Sequence, residues 1–184
     1  MALRDEEFER IGAIDEVIEA PLSPEALGAR FRALCADPRF ADLPGKIELD
    51  LWGRMLMSPA NNQHGVVQFA VGQRLAVLGG RVQTEAAILT PAGVLVADVA
   101  WCSADFARIH GTETPFSRAP EICIEIASPS NSRQELREKV TAYLAAGAIE
   151  AWITYPTSKR VAFFSAAGEL AASAYAVDLA SLFD

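Results

Sequence analysis

Two acidic residues are embedded in the most apolar strand-like stretches of this 184-residue chain, and any fold must give each of them a partner. Asp98 lies in VLVADVAW and Glu125 in EICIEIA. Side chains alternate across a strand, so the even positions of 94–102 share one face and set Asp98 between Val96 and Ala100. The odd positions of 121–127 set Glu125 between Cys123 and Ala127, opposite the row Ile122, Ile124 and Ile126. A carboxylate in such a setting must be paired, hydrogen-bonded, protonated or bound to a metal, because burial of a bare charge is too costly.

The segments around these strands predict one α/β unit. Residues 81–90, RVQTEAAILT, turn through Pro91-Ala92-Gly93 into 94–101, an antiparallel pair. Upstream, IELD and RMLMSP flank Trp52-Gly53 and read as a hairpin over 46–59. Residues 61–78 carry Val66, Phe69, Ala70, Leu75 and Leu78 at helical spacing before the stop Gly79-Gly80. A polar loop is expected over 103–118. Ser132 and Glu135 make a capping box for a helix running to Gly147. Strands are expected at 151–155 and 160–165, with a third near 175–179. At the start of the chain, Phe8, Ile11, Ile14 and Val17 recur at helical spacing, and Ser23-Pro24-Glu25 opens a second helix ending near Asp37-Pro38. The expected organisation is an N-terminal helical extension, 1–45, joined to a domain, 46–184, as one unit. Its centre is a mixed β-sheet flanked by α-helices.

The formal net charge of -8 argues against broad attraction to nucleic acid but leaves room for a local basic groove. Arg133, Arg137 and Lys139 lie within seven residues and form either such a patch or a solvated helix face. No apolar run approaches the roughly 18 residues of a membrane span, so no membrane association is expected and the expected location is the cytoplasm. Cys35, Cys102 and Cys123 have no paired spacing and are expected to be small core residues, not a disulfide framework or zinc site. Trp52, Trp101 and Trp152 are likewise expected in the core.

In the helix from Ser132, the residues Leu136, Val140, Tyr143 and Leu144 make the core-facing stripe, and Lys139 lies on the same side. Either its stem covers the core while its ammonium reaches water, or it points toward Glu125 and Asp98. Two acids and a lysine do coherent chemistry together. Carboxylate oxygens hold a hard divalent cation such as Mg²⁺, the ion activates water and polarises a phosphodiester, and the ammonium steadies developing charge. Ser128-Pro129-Ser130-Asn131 leaves the Glu125 strand in a tight turn. There Ser130 and Asn131 either bond the helix-start amides or, with Arg133 and Arg137, contact a phosphate.

Several linked strings carry a resemblance: IELDLWGRMLMSP at 47–59, His64 in the following helix, TEAAILTPAGVLVADVAW at 84–101, EICIEIASPSN at 121–131 and EKVTAYLAAGAIEAWI at 138–153. In this order they resemble the Uma2-like family of restriction-endonuclease-type proteins, within the PD-(D/E)XK nuclease superfamily. The resemblance covers roughly 46–164. It implies a restriction-endonuclease-like core, with Asp98 and Glu125 as metal ligands on adjacent strands. It also implies Mg²⁺-dependent cleavage of a nucleic-acid strand, with Mn²⁺ as a substitute. The superfamily's lysine two residues beyond the glutamate is Ala127 here. Uma2-like members take it from the next helix, where Lys139 matches. The usual first proline is Ala97, and the acid often found after the early glycine is Arg54. Glu48 matches an acidic family position, as a third metal ligand, a support for the ligands, or a solvent-facing strand residue. His64 would assist DNA contact, tune the site, or stand as a surface histidine. Glu85 would turn toward Asp98 or outward. The protein so implied is a nuclease acting on DNA, and a homodimer is expected separately, from the surface that the apolar N-terminal helices and the closing strand from Tyr175 offer beyond the core. The alternative is an inactive nuclease-fold protein serving as a DNA-binding or protein-interaction module.

Overall fold

The computed structural model describes residues 20–40, 45–58, 62–179 and 182–183, so the helix expected over 8–17 lies outside the described residues. Ser23 accepts a hydrogen bond from the Ala26 amide and Pro24 occupies the first turn, a start that opens α1 (Pro24–Ala36). The hairpin β1 (Lys46–Asp50) and β2 (Met55–Ser58) follows, then α2 (Asn62–Leu75) and the long pair β3 (Arg81–Thr90) and β4 (Gly93–Cys102). The order is completed by α3 (Ala104–His110), β5 (Ile122–Ile126), α4 (Arg133–Ala145), β6 (Glu150–Tyr155), β7 (Arg160–Ser165) and β8 (Gly168–Leu170). The capping box at α4 forms as the sequence predicts, with Ser132 and Glu135 each satisfying the other's amide. Among the described residues no helix is long and apolar enough to cross a membrane.

Two expected elements differ. The segment 103–118 is not wholly loop, because the Ser103 hydroxyl accepts from the Phe106 amide and starts α3, which buries Phe106. Seven residues with one buried position leave no periodicity to read. The strand expected near 175–179 does not form; the closing strand is β8, returning along β7 through a turn that ends at Gly168 (φ +122). Tyr175, Val177 and Leu179 instead pack as irregular chain against the cluster containing Trp101 and Trp152. Buried Glu150 holds that segment by accepting from the Ser173 hydroxyl at 2.7 Å and the Ala174 amide at 2.7 Å.

The sheet is mixed, with β5 and β6 parallel and the other pairs antiparallel, in the order β2-β1-β4-β5-β6-β7-β8 with β3 on β4. α4 and Phe106 of α3 cover one face, and α1 and α2 cover the other. A strand has two edges, and β3 runs along one edge of β4 for its full length. β1 and β5 therefore share the second edge, β1 at Gly93 and Val94 and β5 from Val99 to Trp101. Between these contacts the edge carries no backbone ladder, and the sheet forks.

A kink lies opposite the fork. Glu85 has φ +52, and the β3–β4 register passes from Thr84 with Val99 to Ala86 with Ala97 without pairing Glu85 to Asp98. A left-handed non-glycine residue is uncommon and turns the strand. Alternation consequently switches: Val94 and Val96 pack with Leu27 and Phe31 of α1, whereas Val99 and Trp101 pack with α2. Ala100 belongs to the cluster under α4, so Val96 and Ala100 do not flank Asp98 on one face as simple alternation predicts. Glu125 does obey alternation, with Cys123 and Ala127 toward α4 and the three isoleucines on the other face.

Gly93 (φ +125) stands where β1 joins β4, and a Cβ there would meet the Leu49 carbonyl oxygen at 2.0 Å. Gly93→Ala is expected to cost at least about 2 kcal/mol, from both backbone strain and collision. Urea unfolding checks this, and an unchanged midpoint would show that β1 moves aside freely.

Candidate functional site

At the fork, backbone groups that lack ladder partners are satisfied by side chains. The Val96 amide donates to Glu48 Oε1 at 2.7 Å, and the Val96 carbonyl accepts from Lys46 Nζ at 2.9 Å. The Ile126 amide, two residues beyond the last β4–β5 pair, donates to Asp98 Oδ2 at 2.7 Å. The Asp98 carbonyl accepts from Gln68 Nε2 of α2 at 2.9 Å. Buried amides and carbonyls left unpaired are costly, so the sheet's own need for partners fixes the acids in place.

The charges then interlock. Lys46 Nζ lies 2.6 Å from Asp98 Oδ1 and 3.7 Å from Glu125 Oε2. Lys139 Nζ lies 2.8 Å from Glu48 Oε1 and 3.4 Å from Glu125 Oε2. The Tyr143 hydroxyl donates to Glu125 Oε1 at 2.5 Å, and His64 Nε2 is 3.2 Å from Asp98 Oδ1. Glu48, Asp98 and Glu125 are only 5%, 1% and 3% exposed, which explains why each needs these partners.

The two strand acids respond oppositely to this environment. Burial pushes Glu125 up to about 7, and the Lys139 charge only partly offsets it. Burial also works against the charge on Asp98, but the hydrogen bond to His64 and the charge of Lys46 outweigh it and bring Asp98 down to about 2. The hydrogen bond to Asp98 raises His64 against the effect of its own burial. Burial disfavours charged Lys46 as well, yet Glu125, Asp98 and Glu48 together hold it above the usual lysine range. Burial, then the Glu125 charge, keeps the Tyr143 phenol protonated far above its ordinary value. The site thus contains an acid held charged beside one poised near neutrality, the separation typical of functional clusters.

Of the residues singled out from sequence, Asp98, Glu125, Lys139, Glu48 and His64 converge here. Glu48 is buried, not solvent-facing. Glu85 is exposed and bonds Gln68 rather than the Asp98 carboxylate. Ser130 and Asn131 serve the turn, with Asn131 Oδ1 accepting from the Ser128 amide and hydroxyl and Ser130 bonded to Ser128. Arg133 is exposed at the start of α4. Arg137 is engaged elsewhere, paired with Glu169 Oε2 at 3.0 Å and stacked over Phe164. Lys46, Gln68 and Tyr143 were not legible as site residues. Lys46 lies two positions before Glu48 and so shares its strand face, which was the available clue. Four core expectations also fail: Trp52 is partly exposed beneath the Arg54 guanidinium, Cys35 is exposed, and Val66 and Phe69 face outward because α2 buries Val67, Val71 and Leu75 instead.

The cluster forms the floor of a cavity of about 1010 Å³, walled by Phe31, Leu34, Phe40 and Phe116 and reached by His64 and Lys139. Among the described residues, no three His, Cys, Asp or Glu side chains form a ready cage for a metal. Asp98 and Glu125 nevertheless fit a hard divalent ion in donor type, and the two already share one cation, the Lys46 ammonium. Mg²⁺ commonly takes one or two carboxylates and fills its other positions with water and substrate oxygens, so a two-acid site suits it.

Comparison with known proteins agrees with this architecture. A model of the Uma2 family, described as putative restriction endonuclease, matches residues 30–182. One solved structure, described as a putative nuclease belonging to DUF820 from Anabaena variabilis, superposes with a TM-score of 0.62. The alignment covers 78% of this chain and 94% of that one at 19% identity, a likeness of fold. A comparison with curated proteins finds no match.

Proposed function

The chain belongs to the Uma2 family of restriction-endonuclease-like proteins, and from that premise we propose that it is a metal-dependent nuclease hydrolysing phosphodiester bonds in DNA. The observation that carries this reading is the convergence of Asp98 and Glu125, on neighbouring strands, upon one shared cation at the floor of an open cavity. A divalent ion held by these two acids, Mg²⁺ or Mn²⁺, would polarise the scissile phosphodiester and lower the pKa of water.

The remaining groups do work of their own. Lys46 and His64 keep Asp98 ionised, and Tyr143 fixes one oxygen of Glu125. Lys139 holds a positive charge against the other oxygen and against Glu48, where it can orient a nucleophile and steady charge developing on a phosphate. Glu48 fastens that ammonium to the sheet through the Val96 amide.

The second reading, an inactive module, is favoured by one observation: all four oxygens of Asp98 and Glu125 have protein partners. One experiment separates the two. Plasmid, single-stranded DNA and RNA are incubated with the protein in Mg²⁺ or Mn²⁺, beside Glu125→Gln protein purified in parallel. Metal-dependent cutting of DNA by the parent alone supports the nuclease. Metal binding that depends on Glu125, with no cutting of any substrate, supports the module.

A further inference from the structure

Lys46 is the cluster cation that the proposed chemistry leaves without a reacting role. Its ammonium bridges Asp98 Oδ1 and Glu125 Oε2 and also bonds the Val96 carbonyl. Those two oxygens are what any ion shared by the pair needs. Lys139 is placed differently, between Glu48 and Glu125, with no contact to Asp98. Resting on the nuclease reading, we propose that Lys46 is a resident counter-ion that a divalent metal must displace. Loading the site is then an exchange of ammonium for metal.

Three observations support the exchange. Two buried carboxylates that face one another need a cation to coexist, and Lys46 provides it before any metal arrives. All three side chains line the cavity, but Lys46 is the most exposed of them, at 13% against 1% for Asp98 and 4% for Glu125, so the long lysine can withdraw into the cavity while the short, buried acids stay in place. It stands at the first position of β1, beyond the β1–β4 ladder at Leu49 and Asp50, so its withdrawal breaks no strand pairing with β4. An ammonium that leaves the acids enters the cavity from its floor, the direction from which an anionic substrate would be met. Metal affinity in this protein is therefore set by a competitor within the chain.

The test is Mn²⁺ titration by calorimetry on the parent, Lys46→Met, Lys139→Met and Glu125→Gln. Breaking a buried ion pair weakens any ligand that must do so, hence Lys46→Met is expected to bind Mn²⁺ at least about tenfold more tightly than the parent. Lys139→Met removes the same charge without clearing the bridge, and its gain is expected to be distinctly smaller. Equal gains in both variants would reduce the effect to net charge and overturn the proposal. Unchanged affinity in Lys46→Met, with the parent binding Mn²⁺, would overturn it while leaving the nuclease reading intact. Binding by Lys46→Met and not by the parent would support it. Binding by neither protein would remove both readings.

A measurement on the parent covers the case in which Lys46→Met does not fold. With ¹⁵N-labelled lysine, the Lys46 ammonium resonance, identified by its loss in Lys46→Arg, is expected to be protected without metal. It should broaden into exchange with water on Mg²⁺ addition. Mg²⁺ binding with that resonance unmoved would overturn the exchange.

Discussion

Replacing Glu125 by glutamine is expected to remove metal-dependent cleavage to below about 10⁻³ of the parental rate, since the charge that opposes the cation is deleted. The same substitution is expected to leave the metal-free protein no less stable than the parent at pH 8. Burial raises the folded-state pKa of Glu125 to about 7, above the ordinary glutamate value of 4.5. The folded state therefore binds this proton more tightly than the unfolded state, and the parent loses stability as pH rises between those values. Glutamine is neutral throughout, keeps an oxygen for the Tyr143 hydroxyl, and escapes that loss. Thermal unfolding of both proteins at pH 5 and pH 8 checks the sign, with the relative advantage of Glu125→Gln appearing only at the higher pH. A variant that melts well below the parent at pH 8 would show that the Glu125 charge is a structural requirement.

Lys139→Ala is expected to lower the cleavage rate by about 10² to 10³, or about 3 to 4 kcal/mol, the usual effect of losing one preorganised charge. Metal affinity should stay within roughly tenfold of the parent, because no ligand oxygen is removed and Lys46 still bridges Asp98 and Glu125. Single-turnover cleavage at saturating Mg²⁺, with calorimetric titration alongside, separates the two quantities. A variant that cuts at nearly the parental rate would make Lys139 a holder of Glu48 and Glu125 only.

The acids, the lysine and most of the strand segments can be read from the chain because each leaves a local trace. Asp98 and Glu125 interrupt apolar runs, Lys139 interrupts a helical stripe, and Ser132 with Glu135 marks where that helix begins. The fork could not be read, since it depends on β1 and β5 meeting the same edge of β4 from distant parts of the chain. The kink at Glu85 is hidden for a related reason: nothing in TEAAILT marks its second residue, Glu85, as left-handed, and alternation therefore misplaces Asp98. Lys46 leaves no such trace, because a lysine at a strand start usually meets water. Tyr143 was recognised as core, and only its hydroxyl, invisible to hydropathy, belongs to the site.

The acids at the fork also complete the sheet, and this ties readiness for chemistry to the local integrity of the fold. Asp98 Oδ2 protects the Ile126 amide, and Glu48 Oε1 protects the Val96 amide. A carboxylate drawn away from either amide leaves a bare donor at the fork, at the end of β5 for Ile126 and within β4 for Val96. Exchange of those two amides with deuterated solvent therefore reports, residue by residue, whether Asp98 and Glu48 are serving the backbone or something in the cavity. In this protein the position of two side chains is written into the protection of two backbone hydrogens.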